Sequence, residues 1–412
     1  MPAPGPSSIP SGLSPRGFRA VLLLSALSVA RAEDPLQPVA AALQGEWGRI
    51  KVDLRYRYEY VDQEGDLEEA HASTLRLRLG YLTPKFRGVW GYAEMEGNYE
   101  LGIARYDSLR HRRSHAVVAD PQETELNQAW IAFGTKGFTI KVGRQRIIHD
   151  DHRFIGNVVW RQLEQTYDAV RLKLEPLSHF EVDCAWIWRV QNVLSRTVDM
   201  ASPLLHLQYR GLPFGKVTAY AYWLDYDSAS DSQGYRLSSQ TYGLRLEGSA
   251  PLTGRLKGHY HLEYARQMDY RRNPEDFSAD YYRLVAGLSA FGVTVKGGVE
   301  ELAADHGVGF STPLATLHAF QGWADQFLRT PRDGVRDLYA EVNVNLWRAK
   351  LVGVYHDFQD ENGDRRYGEE YDALLRRDFG NHLTVLLKYA YYNAKGFSRD
   401  TQKVWGQVAV HF

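Results

Sequence analysis

Apolar and polar residues alternate along most of the chain, in segments of about ten residues. Residues 52–60 read VDLRYRYEY, with Val, Leu and Tyr on one side and Asp, Arg and Glu on the other. Residues 74–81, TLRLRLGY, and residues 169–175, AVRLKLE, follow the same rule. Strict alternation over this length is typical of a β-strand that faces lipid on one side and water on the other.

Eighteen such segments can be marked in the sequence. They lie near residues 47–60, 71–82, 88–102, 125–134, 137–147, 166–175, 179–190, 202–210, 215–227, 239–249, 254–267, 280–290, 292–303, 335–346, 349–360, 367–377, 382–393 and 402–412. Every second connection is a tight turn, such as GTKG at 134–137, and the connections between them are longer and polar. This arrangement predicts an all-β, transmembrane antiparallel β-barrel of eighteen strands, with short periplasmic turns and long extracellular loops.

The first 32 residues have the features of a secretory signal peptide. Arg16 and Arg19 precede an apolar run at 20–30, and an A-x-A site predicts cleavage after Ala32. The mature chain, 33–412, is then predicted to be a single outer-membrane barrel domain. Its formal charge falls from −1 to about −4 once the three Arg of the leader are removed. This balance gives no reason to expect a nucleic-acid partner.

The polar face of the barrel is predicted to line a water channel, because eighteen strands enclose more volume than side chains can fill. The cations that alternation places on this face include Arg55, Arg57, Arg76, Arg78, Lys141, Arg171, Lys173 and Arg245. Carboxylates such as Asp53, Glu94 and Asp183 share the face. Either the two signs pair and compensate each other, or unpaired guanidinium groups attract carboxylates. Both interpretations remain open at this point.

Motifs that carry catalysis are not found in the sequence. There is no G-x-S-x-G, P-loop or H-E-x-x-H segment, and the single cysteine, Cys184, excludes an intrachain disulfide and a cysteine-cluster metal site. The run HDDH at 149–152 contains metal-ligand residue types, but a solvated loop or a cluster of salt bridges at the pore mouth is favoured. We therefore expect no enzyme activity, no cofactor and no bound metal.

The segment FTIKVGRQRI, residues 138–147, does not fit strict alternation. Phe138, Ile140 and Val142 form one face, and Arg144 and Arg146 fall on that same apolar face. Charged residues facing lipid cost several kcal/mol at mid-depth. A bulge near Gly143 that turns both arginines inward is the favoured prediction. The alternative is that the strand ends there and both arginines lie at the outer rim.

Several segments resemble the alginate-export family of outer-membrane barrels. They are ELNQAWIAF, FTIKVGRQRI and DAVRLKL between residues 125 and 174, with STPLATLHAFQGWADQFL and YHDFQDENGDRRYGEEYDALL further on. The resemblance runs from about residue 45 to Phe412 and implies an arginine-lined constriction that conducts anionic polyuronate. Matching by motif implies that Arg144, Arg146 and Arg171 lie on or near the solute path and that Asp168 pairs with one of them.

The chain departs from that family pattern in two respects. Only FGNH at 379–382 stands where the alginate exporter has a substantial periplasmic loop, and the wall is rich in acids. A general or small-solute porin with a charge-compensated wall is therefore an alternative to a channel for carboxylated solutes or polyuronate. A barrel enzyme acting on lipid or polysaccharide is an alternative of another class, and a plugged structural or adhesive barrel is a third.

The long loop 304–334 is predicted to fold over or into the pore mouth and narrow it. Its apolar residues Leu314, Leu317, Phe320 and Trp323 recur near helical spacing. An extracellular cap or a packing contact is the alternative for this loop. The expected partners of the protein are outer-membrane lipid, an anionic small molecule or polyuronate and, for export, periplasmic export components. A monomer is expected.

Overall fold

The alternating segments form one closed wall of β-strands. The computed structural model describes residues 36–111, 114–227 and 234–412, so the predicted signal peptide lies outside the described residues. The wall strands are β1 Gly48–Gln63, β2 Ala70–Leu82, β3 Val89–Arg105, β4 Glu123–Thr135, β5 Phe138–Gln145, β6 Thr166–Leu177, β7 Phe180–Gln191, β8 Thr197–Leu212, β9 Gly215–Leu224, β10 Ser239–Thr253, β11 Leu256–Asp269, β12 Ser278–Ala290, β13 Val293–Leu302, β14 Val335–Leu346, β15 Ala349–Gln359, β16 Arg366–Phe379, β17 Leu383–Ala394 and β18 Thr401–His411.

Each wall strand pairs antiparallel with the next, and the last closes against the first. In that closing pair, Leu54 of β1 stands opposite Val410 of β18. The two-residue strand Gln44–Gly45 is hydrogen-bonded to the start of β1 and is the nineteenth member of the sheet. Each of the eighteen predicted segments overlaps one wall strand. The predicted eighteen-stranded antiparallel barrel is confirmed.

The two faces of the wall differ as the alternation predicts. On β1, Leu54 and Tyr56 are each 37% exposed on the outside, whereas Arg57 and Glu59 are 0% and 1% exposed on the inside. The inner face of the wall is therefore polar and buried at these positions, and its outer face is an apolar surface suited to lipid.

The connections differ strongly between the two rims. Phe291 and Gly292, between β12 and β13, have φ angles of 52° and 81°. Positive φ at both central residues is the geometry of the two-residue hairpin turns that match strand twist. The connections at the other rim are mostly longer, although residues 192–196 form a short one. Two of the long ones, residues 146–165 and residues 303–334, turn into the barrel. We call them the first and second inner loops.

Helical structure is limited in the described ranges to short pieces. They are the α-helix Gln37–Ala42 and the 3₁₀ turns Gly234–Leu237 and Leu317–Ala319. None of the helices among these residues has the length and apolarity that crossing a membrane requires. The near-helical spacing in the second inner loop thus produces only one 3₁₀ turn. The amides of Trp323 and Ala324 bond to wall carboxylates instead of to a preceding helical turn.

The two inner loops are bonded to each other inside the barrel. Gly156 N donates to Leu314 O at 2.9 Å, and Thr316 N donates to His152 O at 3.0 Å. The ring of Phe154 lies 5.0 Å from that of Tyr220 and 6.0 Å from that of Phe310, between centroids. An aromatic core therefore lies inside the barrel and joins both loops to the wall.

Candidate functional site: the charged lumen

Four of the predicted cations, on β1 and β2, lie beneath the first inner loop. They are Arg55, Arg57, Arg76 and Arg78, and they are between 0% and 6% exposed. Arg55 donates from Nε to Gln162 Oε1 at 2.8 Å and from Nη1 to Val159 O at 3.0 Å. Arg78 pairs with Glu96 at 2.5 Å. A solute would contact these arginines only if the loop moved, so their pore-lining role stays a prediction.

The predicted bulge at Gly143 is wrong. Gly143 stands directly opposite Trp130 on one side and Ala169 on the other, and neither pairing shifts register there. Its φ is 119°, and a Cβ at this position would lie 2.3 Å from Ala129 O. The glycine is therefore needed for a left-handed backbone and a close strand contact.

Arg144 and Arg146 consequently point to opposite sides of the wall. Arg144 lies on the outer face of the wall, as Val142 does. It donates from Nε and Nη2 to Asp168 at 2.7 Å and 3.0 Å. The expected pairing of Asp168 with one of these arginines is confirmed. Arg146 lies just past the end of β5 and turns inward, donating from Nε to Glu164 at 2.6 Å. The strand does end here, as the alternative held, but only Arg146 reaches the lumen.

The cations of β5 and β6 are likewise paired or covered. Lys141 Nζ lies 4.1 Å from the ring centroid of Trp130. Arg171 donates from Nε to Asp183 Oδ1 at 2.9 Å, and Lys173 Nζ lies 3.2 Å from Asp183. Carboxylates therefore compensate Arg171 and Lys173, whereas Lys141 lies against an aromatic ring.

The HDDH segment forms salt bridges in the middle of the lumen. Asp151 accepts from Arg245 Nη1 at 2.7 Å and from Arg283 Nη1 at 2.6 Å, and Asp150 lies 2.9 Å from His206 Nε2. Burial opposes the charge of Asp151, but the two arginines outweigh it and hold the pKa of Asp151 well below its ordinary value. Within the described ranges, no three His, Cys, Asp or Glu side chains are grouped to hold a metal.

A cavity of about 680 Å³ opens from this level toward the rim of short turns. We call it the inner cavity. Its lining includes the cations Arg210, Lys216, Arg245, Arg283 and Lys296 and the acids Asp151, Glu247 and Glu341. Lys216 pairs with Glu247 at 2.7 Å and Lys296 with Glu341 at 3.0 Å. Cations outnumber acids in this lining, but most are in ion pairs.

A second cavity, of about 480 Å³, lies on the side of the long loops, and we call it the outer cavity. Among the described residues its lining contains three arginines, Arg153, Arg196 and Arg329, and no Asp or Glu. Asp151 borders the inner cavity and Arg153 the outer one. The first inner loop therefore passes between the two cavities.

Comparison with known proteins places this barrel in a family. The family model described as alginate export matches residues 47–278, more than half of the chain. The chain belongs to the alginate-export family. A search of curated proteins found no significant match.

Solved structures similar to this alginate-export barrel include channels from two bacteria. OccAB4 of Acinetobacter baumannii is 15% identical with a TM-score of 0.68, and the match covers 90% of this chain and 100% of that one. OccAB2 of the same organism is 14% identical with a TM-score of 0.69, covering 90% and 99%. OpdK of Pseudomonas aeruginosa, solved with vanillate, is 13% identical with a TM-score of 0.68, covering 88% and 98%. At sequence identities this low, the structural similarity shows a shared outer-membrane barrel fold.

Two cations of the alginate-export barrel were missed because they lie in a loop. Arg153 donates from Nε to Glu300 at 2.5 Å, and Arg161 donates from Nη2 to Asp325 at 2.9 Å. Arg153 is only 1% exposed, and burial lowers its pKa, but Glu300 and Tyr281 together outweigh burial and hold the pKa of Arg153 above its ordinary value. The clue in the sequence was the apolar content of residues 154–163, FIGNVVWRQL, which is unusual for a solvated loop.

Proposed function

We propose that the protein is an outer-membrane channel that passes anionic, carboxylated solutes and performs no chemistry of its own. The observation that carries this proposal is the outer cavity, whose described lining has no carboxylate and includes two exposed arginines, Arg196 and Arg329, besides Arg153, which pairs with Glu300. A guanidinium offers a planar pair of donors that matches a carboxylate. A solute entering from the long-loop side would meet this positive potential before the compensated wall below.

Two further observations support carboxylated solutes without naming one. The chain belongs to a family described as alginate export, and a barrel of similar fold was solved with vanillate, which is a carboxylate. Export of a polyuronate would follow from the family description, with periplasmic export components as partners. Uptake of small carboxylates is an equal variant of this proposal. The barrel lies in outer-membrane lipid in either case, and a monomer remains our expectation.

A general diffusion porin is the second candidate, and the density of ion pairs favours it. The cations of β2, β5 and β6 are paired with carboxylates or covered, which leaves little net charge on that part of the wall. A compensated wall conducts small ions of both signs with weak preference.

Planar-bilayer recording with a KCl gradient tests the two candidates. The first predicts a reversal potential on the anion side that moves toward zero in Arg196→Gln plus Arg329→Gln, two exposed positions of the outer cavity. Arg376→Gln is the matched control, because Arg376 is exposed and pairs with Asp378 away from that cavity. Equal reversal potentials for all three proteins would favour the general porin. Turnover of lipid or polysaccharide without conductance would support the enzyme alternative, and silent insertion would support the plugged barrel.

A further inference from the structure

Aromatic side chains stand exposed at the tips of several short turns. Phe291, between β12 and β13, is 81% exposed, and Trp347, between β14 and β15, is 78% exposed. Phe86, between β2 and β3, is 71% exposed. Aromatic rings in such positions are favoured at the boundary between lipid and water. We therefore place the short-turn rim in the headgroup layer of the membrane.

Arginines accompany these rings along one part of the rim. The guanidinium carbon of Arg255 lies 5.6 Å from the ring centroid of Phe291, and that of Arg377 lies 4.7 Å from the ring centroid of Phe379. Arg348 lies in the turn between β14 and β15 and is exposed. We call Arg255, Arg348 and Arg377 the rim arginines. Contact with rings of the boundary layer holds two of these charges at headgroup depth.

The turns that carry the rim arginines and their rings are neighbours in the barrel. Asn345 N donates to Gly292 O at 2.8 Å, which joins the turn between β12 and β13 to the end of β14. Ala349 stands opposite Arg377 in the pairing of β15 with β16. The rim arginines therefore lie along one continuous stretch of the rim.

The rim arginines have no carboxylate within 4.0 Å of their side-chain nitrogens in the part of the chain that the structure describes. Asp378, on the same rim, is already paired with Arg376 at 2.9 Å. Arg266, near the long-loop end of β11, differs from the rim arginines because Asp280 lies 3.7 Å from it. Three neighbouring cations without a partner in the protein attract an anion from outside it.

The surface next to the rim arginines is apolar, which decides what kind of anion fits. Leu288, Leu346, Leu351 and Leu375 are between 41% and 49% exposed on the outer face. Leu375 precedes Arg377 by two residues on β16, so the charge and the apolar surface lie on the same face of the wall. An acidic protein would neutralise the arginines and leave the leucines uncovered. A phospholipid covers both, with its phosphate and with its acyl chains.

We propose that the rim arginines bind the phosphate of a phospholipid whose headgroup carries a net negative charge. Each guanidinium offers a pair of donors to phosphate oxygens, and the acyl chains lie on the leucines of the outer face. A zwitterionic headgroup brings its own cation to the phosphate and gains less from three uncompensated arginines. This proposal concerns the lipid partner of the barrel and does not depend on which solute passes through it.

Native mass spectrometry of the full-length protein, folded in detergent and freed of lipid, tests this preference. The probes are dioleoylphosphatidylglycerol and dioleoylphosphatidylcholine, which share acyl chains and phosphate and differ in the net charge of the headgroup. When both are offered in equal amounts, phosphatidylglycerol is expected to be retained at least about fivefold more often. Arg255→Gln, Arg348→Gln and Arg377→Gln combined should remove this difference by lowering the retention of phosphatidylglycerol alone.

Arg236→Gln, Arg266→Gln and Arg271→Gln combined are the matched control, because these arginines are exposed at the long-loop rim and each pairs with a carboxylate. The control variant should keep the preference, and so should a variant in which all three rim arginines are replaced by lysine, since it keeps the charge. Equal retention of the two lipids by the unchanged protein would overturn the proposal and leave the rim arginines to an acidic protein partner. A preference that survives in the glutamine variant, or that the control variant loses as well, would also overturn it.

Discussion

Asp325 fixes the second inner loop to the wall of the barrel. Its side chain is 5% exposed and accepts from His318 Nδ1 at 2.7 Å, from Arg161 Nη2 at 2.9 Å and from Lys403 Nζ at 2.7 Å. Burial alone would raise the pKa of Asp325, but His318, Lys403 and Arg161 hold it well below its ordinary value. The carboxylate therefore stays ionised and joins both inner loops to β18.

Replacing Asp325 by Asn keeps the shape of the side chain and removes its charge. Lys403 then has no other ionic partner among the described residues, whereas Arg161 retains Glu59 at 3.4 Å. Removing one partner of a buried ion pair costs about 3–5 kcal/mol, and the retained Glu59 contact places this case near the lower value. A cost of about 3 kcal/mol makes the displaced loop roughly a hundredfold more populated.

Hydrogen–deuterium exchange measures this population through two amides of the loop. Trp323 N donates to Asp372 Oδ2 at 3.3 Å, and Ala324 N donates to Glu370 Oε1 at 2.6 Å. Both amides exchange only when the loop leaves these carboxylates, so Asp325→Asn should speed their exchange roughly a hundredfold while β18 is unchanged. Asp333→Asn, an exposed position of the same loop, should leave all rates as they are.

Two results would refute this reasoning. Unchanged exchange at residues 323 and 324 would mean that the ionic contacts of Asp325 contribute little to holding the loop. Equally faster exchange in the loop and in β18 would mean that the loop does not open as a separate unit and that the whole barrel is weakened.

Three other predictions follow from the same contacts. Deletion of residues 310–328 should raise single-channel conductance, and no rise would show that the second inner loop does not narrow the pore. Arg144→Leu should lower the thermal stability of the folded barrel more than Arg144→Leu with Asp168→Leu, because the single change leaves an unpaired carboxylate on the outer face. A double variant that loses as much stability as the two single variants added together would contradict this. Burial, with Lys388 Nζ 2.7 Å from Nε2, holds the pKa of His318 well below its ordinary value despite Asp325. As the pH falls, His318 of the displaced loop therefore takes up a proton before His318 of the bound loop does. The stability of the bound loop should be full above about pH 6.5 and fall below it, as amide exchange corrected for intrinsic rate would show.

The fold was predictable from sequence because a membrane barrel repeats one rule. Successive side chains of each strand must face lipid and water in turn, so a segment such as 335–346 can be recognised as a strand from its own residues alone. Arg57 faces inward and Leu54 faces outward simply because odd and even positions of a strand face opposite sides. Closure of the sheet and the difference between the two rims then follow from counting strands and connections.

The candidate site was less predictable, because alternation predicts which side of the wall a side chain faces but not which residue it contacts. Alternation places Arg78 in the lumen, but it does not reveal that Glu96 and Glu164 lie within 4 Å of its guanidinium. Gly143 shows a second limit, since a glycine in a strand signals either a bulge or a close backbone contact. Only the registers of both neighbouring strands distinguish these, and they depend on residues far away in the sequence.

The distribution of partners also changes which residues are expected to decide the choice of solute. A wall arginine such as Arg78 is buried between Glu96 of the neighbouring strand and Glu164 of the first inner loop, so its charge stiffens the wall more than it attracts a solute. Of the arginines around the outer cavity, Arg153 pairs with Glu300, whereas Arg196 and Arg329 are exposed at its mouth. A substitution in the inner loops or at the mouth of the outer cavity changes the charge that a solute meets there without removing a strand pair. We therefore expect related barrels with the same wall to differ in solute preference through residues 146–165 and 303–334.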